Sequence, residues 1–247
     1  MKYLFILILV CLSLFNNGCS FRETILKQIL SEQANYFSGT GTEKVTLEKL
    51  TEHVYTFEWG GFYRNVVIDT SEGFIVIDPF KPKGAKLLKQ ELNKIAPNKP
   101  VHTLIYSHYH LDHVRGGEYL APQEIIAHEK CPSYWKDLGV DDILMPTKLI
   151  NGDQVLHIGG VELQLLYLER SHTDTLYAFY LPQEKVVFGP DLALIKAIPP
   201  MGIPDHYTPG LIRAMERVNQ LDFEIFIPSH FGYGTKADYQ ESLEALK

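Results

Sequence analysis

Short apolar runs separated by turn residues dominate the chain from Val45 onward. Their length and their content of β-branched and aromatic residues predict strands at 54–57, 65–69, 74–77, 103–106 and 224–227. Two hairpins are predicted as well, one joining 155–158 to 161–168 around Gly159-Gly160 and one joining 176–181 to 185–188 at Pro182-Gln183.

Apolar residues recur at helical spacing in 84–95, 211–220 and 236–246, so these segments predict helices. A further helix is predicted at 22–36, ahead of a break at 38–42. Strands in meanders with helices between them indicate layered sheets covered by helices, and we expect residues 45–247 to form a single domain.

The start of the chain has the pattern of an export signal. Its apolar run at 3–15 has the length of a signal-peptide core and is short for a bilayer span, a retained membrane anchor being the alternative. The run leads to Gly18-Cys19, which resembles the bacterial lipoprotein signal, with Asn16 in place of the usual aliphatic residue. We therefore expect a signal peptide at 1–18, a lipid on Cys19 and a spacer at 19–44.

Such a protein would be exported and anchored through its lipid to a membrane, facing the periplasm or the exterior. Apart from the lipidated Cys19, its one thiol would be Cys131, so we expect no internal disulfide. The composition is that of a globular protein with a sizeable core, at 45% hydrophobic and 21% charged residues. A net charge of −7 argues against nucleic acid as the main partner. We expect the partner to be a small-molecule substrate.

Four residues of the types that commonly bind metals in proteins follow the strand predicted at 103–106. They are His108, His110, Asp112 and His113. Alternate residues of an extended segment point the same way, so the side chains at 108, 110 and 112 are expected to converge. Imidazole and carboxylate groups suit zinc, iron or manganese, so the pattern predicts a metal site, with a solvated polar loop as the alternative.

This segment resembles the His-x-His-x-Asp-His signature of the metallo-β-lactamase superfamily. Each further motif of that family has a counterpart, in order along the chain: the Asp-ended hairpin at 73–78, Gly116-Gly117, Ser171-His172-Thr173, Gly189-Pro190-Asp191-Leu192 and Pro228-Ser229-His230-Phe231-Gly232. The resemblance implies an α+β fold, a four-layer αβ/βα sandwich in a single domain.

The resemblance also implies two divalent metal ions, zinc first, with iron or manganese as alternatives. His108, His110 and His172 would bind one ion, and Asp112, His113 and His230 the other. Asp191 and a water-derived hydroxide would bridge the pair, which makes Asp112 and Asp191 the catalytic carboxylates. Two cations lower the pKa of a shared water and polarise the substrate oxygen.

Three positions depart from the family pattern. Ser171 and Ser229 stand where glycine usually precedes the third and the last His, and Pro190 directly precedes Asp191. Serine fits at these positions if its φ angle is negative, and proline fixes its own φ near −65°. The departures affect the geometry expected of the site and leave its candidate ligands intact.

A proline-rich segment follows Asp191 and is expected to shape a substrate pocket. Within and beyond it, His206, Tyr207 and Tyr233 are candidates for orienting substrate or protonating a leaving group, with a packing role as the alternative. The other histidines have no ligand spacing, so we expect them to lie on the surface or to pack.

The family hosts many reactions, so the fold does not settle the substrate. Within the family, the aspartate at position 191 resembles the glyoxalase II-like ligand set, which implies hydrolysis of an ester, thioester, lactone or related bond. The alternatives are a β-lactamase, which an exported location favours, a diiron redox protein and a non-catalytic metal-binding protein of the same fold. The redox protein is expected to carry a flavodoxin-like partner domain and an acidic replacement of one His ligand. The substrate and the oligomeric state stay open.

Overall fold

The computed structural model describes residues 44–197 and 203–247. The predicted signal peptide, Cys19, the helix at 22–36 and the spacer up to residue 43 lie outside the described residues. Within the described part of the chain, no helix has the length and apolarity that a membrane span requires.

The first sheet contains seven strands in the order in which they occur along the chain. They are β1 (Val45–Lys49), β2 (Val54–Trp59), β3 (Tyr63–Thr70), β4 (Gly73–Ile77), β5 (Val101–Ile105), β6 (Glu124–His128) and β7 (Lys148–Ile150). β1 to β4 pair antiparallel, and β4 to β7 pair parallel. The parallel ends place the segments that follow β4 and β5 at one edge of this sheet.

The second sheet contains six strands in the order β13-β12-β11-β10-β9-β8. They are β8 (Gln154–Ile158), β9 (Val161–Tyr167), β10 (Tyr177–Leu181), β11 (Val186–Phe188), β12 (Ile225–Ile227) and β13 (Gly234–Thr235). All neighbours are antiparallel except β11 and β12, which run parallel. Both predicted hairpins are therefore present, as β8–β9 and β10–β11.

Among residues 44–197 and 203–247, five α-helices accompany the sheets. They are α1 (Pro82–Ile95), α2 (Leu111–Val114), α3 (Cys131–Asp137), α4 (Thr208–Asn219) and α5 (Lys236–Leu246), with a short 3-10 helix at Gly117–Tyr119. A proline at the first turn begins α1, α3 and α4, where its missing N–H costs no hydrogen bond. A capping box of Thr235 and Asp238 begins α5.

Alternation along the strands divides the core into three layers of side chains. On β4, for example, Ile75 and Ile77 belong to the core between the two sheets, whereas Phe74 and Val76 face the helices α1 and α3. A third cluster packs α4 and α5 against the outer face of the second sheet. The order helix, sheet, sheet, helix is the predicted four-layer α+β sandwich.

Candidate metal centre

The His108–His113 segment follows β5, and its backbone changes conformation along its length. The chain bends at 107–109, His110 is extended with φ −62° and ψ 140°, and α2 begins at Leu111. His108 and His110 lie in the same group of candidate ligands, as expected. Asp112 does not converge with them, because the helical turn directs it to a different set of residues.

His108, His110, His172 and Asp191 form what we call the first group, in which one ligand atom of each residue lies within 4.8 Å of the others. Nε2 of His172 lies 3.1 Å and Nε2 of His108 lies 3.6 Å from Oδ2 of Asp191. Nδ1 of His110 lies 3.1 Å from Nε2 of His172. Three imidazoles and a carboxylate thus surround one point, the donor set of a divalent transition metal.

Asp112, His113 and His230 form the second group by the same distance criterion. Oδ2 of Asp112 lies 3.6 Å from Nε2 of His113 and 3.8 Å from Nε2 of His230. Asp191 reaches this group too, with Oδ2 3.3 Å from Nε2 of His113 and Oδ1 3.1 Å from Nε2 of His230. Its carboxylate oxygens therefore lie within 3.6 Å of imidazole nitrogens from both groups.

The unpartnered nitrogens of the site fit a metal. Within the described residues, the buried Nε2 atoms of His108 and His113 have no hydrogen-bond partner. Their Nδ1 atoms are engaged instead, that of His108 2.9 Å from Oγ of Ser107 and that of His113 2.8 Å from Oδ2 of Asp78. A proton held on Nδ1 leaves the Nε2 lone pair free for a cation.

Asp78 organises the base of the site. It is fully buried at the end of β4, with a left-handed φ of 62°. Its carboxylate accepts hydrogen bonds from the backbone N–H of Ser107 at 2.8 Å and from the Ser107 hydroxyl at 2.7 Å, besides facing His113. The sequence places Asp78 in a family motif, and the structure adds its contact with the candidate ligands.

The buried charges adjust each other's protonation. Burial by itself would raise the pKa of Asp191, but His113, His230 and His172 hold that pKa well below its usual value. Burial, reinforced by His113 and His110, lowers the pKa of His108 well below its usual value. An ionised Asp191 and a neutral His108 are the protonation states in which these side chains bind metals.

The departures from the family pattern are accommodated by the backbone. Neither Ser171 nor Ser229 has a positive φ, whereas Asp191, directly after Pro190, has a φ of 50°. The Ser229 hydroxyl accepts a hydrogen bond from the N–H of Asp191 at 3.1 Å and donates one to Oδ1 of the same residue. Serine at this position thus supports the central carboxylate.

The three candidate substrate contacts lie in different surroundings. The His206 ring lies 6.3 Å from the His172 ring, and its nitrogens are enclosed without a partner among the residues that the structure describes. The Tyr207 ring lies beneath the guanidinium groups of Arg170 and Arg213. The Tyr233 hydroxyl donates to Glu48 at 3.0 Å. Of the three side chains, that of His206 packs beside a candidate ligand, His172.

Further residues at the site carry no signal in the sequence. The Phe62 ring lies 4.5 Å from the His230 ring and 5.1 Å from that of Phe231, which is 47% exposed. Tyr63 lies 5.6 Å from His230 between ring centroids, and burial, Asp112 and Asp191 all raise its pKa. These residues occur in an ordinary aromatic turn, and only their proximity to His230 identifies them.

Two sheets flanked by helices, with clustered His and Asp side chains at their edge, define a metallo-β-lactamase fold. The sequence matches the metallo-beta-lactamase superfamily over residues 60–230, and the chain belongs to that family. The family predicted from the motifs is therefore confirmed.

Two sequence relatives illustrate the range of the family. The chain is 29% identical to the 2,4-dinitroanisole O-demethylase subunit alpha of Nocardioides sp. (strain JS1661) over 204 residues. That alignment covers 81% of this chain and 62% of the relative, so the chain spans less than two thirds of that protein. It is 22% identical over 222 residues to the metallo-beta-lactamase type 2 of Bacillus cereus, covering 84% of each.

Solved structures share the fold at low sequence identity. A metallo-beta-lactamase from Pontibacter korlensis superposes with a TM-score of 0.70 at 22% identity, covering 82% of this chain and 99% of that one. The metallo-beta-lactamase IND-7 gives a TM-score of 0.70 at 18% identity, covering 83% and 99%. These likenesses confirm the predicted four-layer sandwich.

Proposed function

We propose that this protein is a hydrolase that uses two divalent metal ions, zinc first, to cleave an ester, thioester, lactone or related bond in a small molecule. The observation that carries the proposal is the position of Asp191, whose carboxylate oxygens lie within 3.1–3.6 Å of four imidazole nitrogens from both groups. An aspartate shared between two ligand groups suits a dinuclear centre more than a single closed structural site.

Each group has a defined part in the proposal. His108, His110 and His172 would hold one ion, Asp112, His113 and His230 the other, and Asp191 both. Bound cations of this kind acidify water and stabilise the negative charge that develops on a substrate oxygen. Two of the ligands are held in orientation, because Nδ1 of His108 lies against Ser107 and Nδ1 of His113 against Asp78.

The substrate would enter between two walls of different character. On the side of the first group, His206 faces His172. Burial lowers the pKa of His206, and the nearby His172 lowers it further. A neutral imidazole at neutral pH can both donate and accept a hydrogen bond, which suits the orientation of a polar substrate group. On the side of the second group, Phe62 and the exposed Phe231 offer an apolar surface to the rest of the substrate.

The experiment combines metal analysis with a substrate panel. The purified protein is expected to bind two zinc ions per chain and, when zinc-loaded, to hydrolyse one or more of an ester, thioester, lactone, sulfate ester, phosphodiester and β-lactam series. Two iron ions per chain would favour the redox alternative. Protein that binds no metal would contradict the proposal and favour the non-catalytic one.

The O-demethylase relative suggests a second candidate reaction. Its name specifies removal of a methyl group from an aromatic ether, and it is 29% identical to this chain over 204 residues. Adding 2,4-dinitroanisole to the panel tests this reaction directly, with release of the phenol as the readout. Turnover of the ether with none of the esters would replace ester hydrolysis by ether cleavage.

A further inference from the structure

Asp205 joins two residues of the His108–His113 segment through one carboxylate oxygen. Its Oδ2 accepts a hydrogen bond of 2.7 Å from the Tyr109 hydroxyl and lies 3.0 Å from Nε2 of His110. No family motif recognised in the sequence contains Asp205. It lies far along the chain from its two partners, so the contact arises from the fold alone.

The contact with Asp205 determines which nitrogen of His110 is free to face the other ligands of the first group. An ionised carboxylate only accepts hydrogen bonds, so the proton of a neutral His110 must sit on Nε2, beside Asp205. Nδ1, which lies 3.1 Å from Nε2 of His172, then carries the free lone pair. His108 is fixed in the opposite sense, through its Nδ1, by Ser107.

The Asp205 carboxylate is held in position by Tyr109. Its side chain is 28% exposed, and Tyr109, which supports it, stacks on Tyr134 with ring centroids 4.4 Å apart and an interplanar angle of 25°. Oδ2 of Asp205 has two donors within hydrogen-bond distance, the Tyr109 hydroxyl and the His110 ring, and an aspartate carboxylate is ionised at neutral pH.

The segment that carries Asp205 also carries the substrate-side candidates. His206 follows it directly and faces His172, and the N–H of Tyr207 donates to the carbonyl oxygen of Ser171 at 2.7 Å. Segment 203–207 thus touches the first group at both His110 and the turn that presents His172. A single carboxylate thus connects this segment with a candidate metal ligand.

We propose that Asp205 is a positioning residue that fixes the His110 proton on Nε2, directs Nδ1 to the first metal and ties segment 203–207 to that ligand. This inference rests on the proposed function, because it assumes that the first group holds a metal. Carboxylates that orient metal-bound histidines strengthen metal binding about 10-fold to 100-fold.

The test measures zinc affinity in the full chain by competition with a chromophoric chelator, for the wild type and Asp205→Asn. We expect the affinity of one of the two zinc sites to fall about 10-fold to 100-fold in the variant, with the other site unchanged. The melting temperature of the metal-free protein should stay the same. In the wild type, imidazole ¹⁵N shifts should place the His110 proton on Nε2, and this signature should weaken in Asp205→Asn.

Asp174 provides a matched control. Its side chain is 27% exposed, and its Oδ1 accepts a hydrogen bond of 2.9 Å from the Tyr134 hydroxyl, the same arrangement as Asp205 with Tyr109. Its other oxygen faces Lys130 at 2.8 Å and not a histidine. Asp174→Asn should therefore leave both zinc affinities unchanged.

A milder variant covers the case in which Asp205→Asn folds poorly. Tyr109→Phe removes one hydrogen bond to Asp205 and keeps the ring that stacks on Tyr134, so it should weaken the same zinc site by a smaller factor. Wild-type zinc affinities in both variants would overturn this inference and leave the proposed function standing. A wild-type protein that binds no zinc would overturn the proposed function and this inference with it.

Discussion

At the scale of single residues, Asp78 supports several parts of the candidate centre without belonging to either ligand group. Its buried carboxylate accepts from two donors of Ser107 and faces Nδ1 of His113. Removing an acceptor leaves buried donors without partners, which costs about 1–3 kcal/mol each.

We therefore expect Asp78→Ala to lower the free energy of unfolding by about 2–4 kcal/mol, measured by urea denaturation of the metal-free protein. The control is Asp69→Ala, which removes a partly exposed carboxylate, 30% accessible, that is paired with Lys99. Surface ion pairs contribute about 0–1 kcal/mol, so this variant should be close to the wild type. Equal losses in the two variants would contradict the supporting role of Asp78.

Asp112 permits a sharper test of the proposed reaction, since its side chain is 30% exposed and lies between His113 and His230. Asp112→Ala should bind one zinc per chain where the wild type binds two, and hydrolysis should fall below detection. Its unfolding free energy should change little, because removing a partly exposed carboxylate leaves no large cavity. Unchanged turnover in this variant would refute the dinuclear mechanism.

Sequence patterns could identify the residues of the two groups because the metal-ligand residue types occur at short, ordered spacings. They could not identify Asp205 or the role of Asp78, which act through contacts between distant parts of the chain. Nor could alternation predict the direction of Asp112, because it assumes an extended backbone and α2 begins at Leu111. Residue types thus indicate which side chains can bind a metal, whereas the direction of each side chain depends on the fold.

At the scale of elements, the long amphipathic segments were predictable and the short or exposed ones were not. The helix α5 was expected at the residues where it occurs, and β4 within one residue. The sequence does not predict β7, of which two residues are exposed, or β13, which has two residues, because neither has enough alternating positions to show a period. The helix α3, with seven residues, is also too short for a clear period.

The start of α4 is pressed against the turn that presents His172. A Cβ on Gly210 would lie 1.8 Å from the carbonyl oxygen of Arg170, two residues before that histidine. Alanine improves helix propensity by about 1 kcal/mol, but overpacking against backbone costs about 1–3 kcal/mol, so the steric cost wins. We expect Gly210→Ala to lower the melting temperature and to weaken zinc binding.

Gly232 is the matched position for this prediction. A Cβ there meets no atom of the described residues within 4 Å, and its φ lies outside the left-handed region. Gly232→Ala should therefore change the free energy of unfolding by no more than about 0.5 kcal/mol. If both variants bind zinc like the wild type, α4 does not position the His172 turn.

At the scale of the whole molecule, we propose that the protein is exported and held at a membrane through a lipid on Cys19. The support is the apolar run at 3–15 followed by Gly18-Cys19. Cys19→Ser should move the protein from the membrane fraction to the soluble fraction in the cell that expresses it. Cys131→Ser is the control, because that thiol is buried in the core. A Cys19→Ser protein that stays in the membrane fraction would contradict lipid anchoring and favour a retained anchor.

The candidate ligands also divide between the two sheets, which gives metal binding a structural consequence. His108, His110, Asp112 and His113 follow β5 of the first sheet, whereas His172, Asp191 and His230 follow β9, β11 and β12 of the second. Ions held by both sets would link the sheets at one edge. Zinc at 100 times its Kd stabilises the folded state by about 2.7 kcal/mol per site.

For a chain of this size, that gain corresponds to a rise in Tm of roughly 5–10 °C per site. Chelation should therefore lower the Tm of the zinc-loaded protein by this amount per ion, and added zinc should restore it. His230→Ala removes a ligand supplied by the second sheet and should recover only about half of the zinc-dependent rise. His157→Ala removes an exposed histidine of β8 and should recover all of it. If removing the bound zinc with a chelator leaves the Tm unchanged, the ions do not link the sheets.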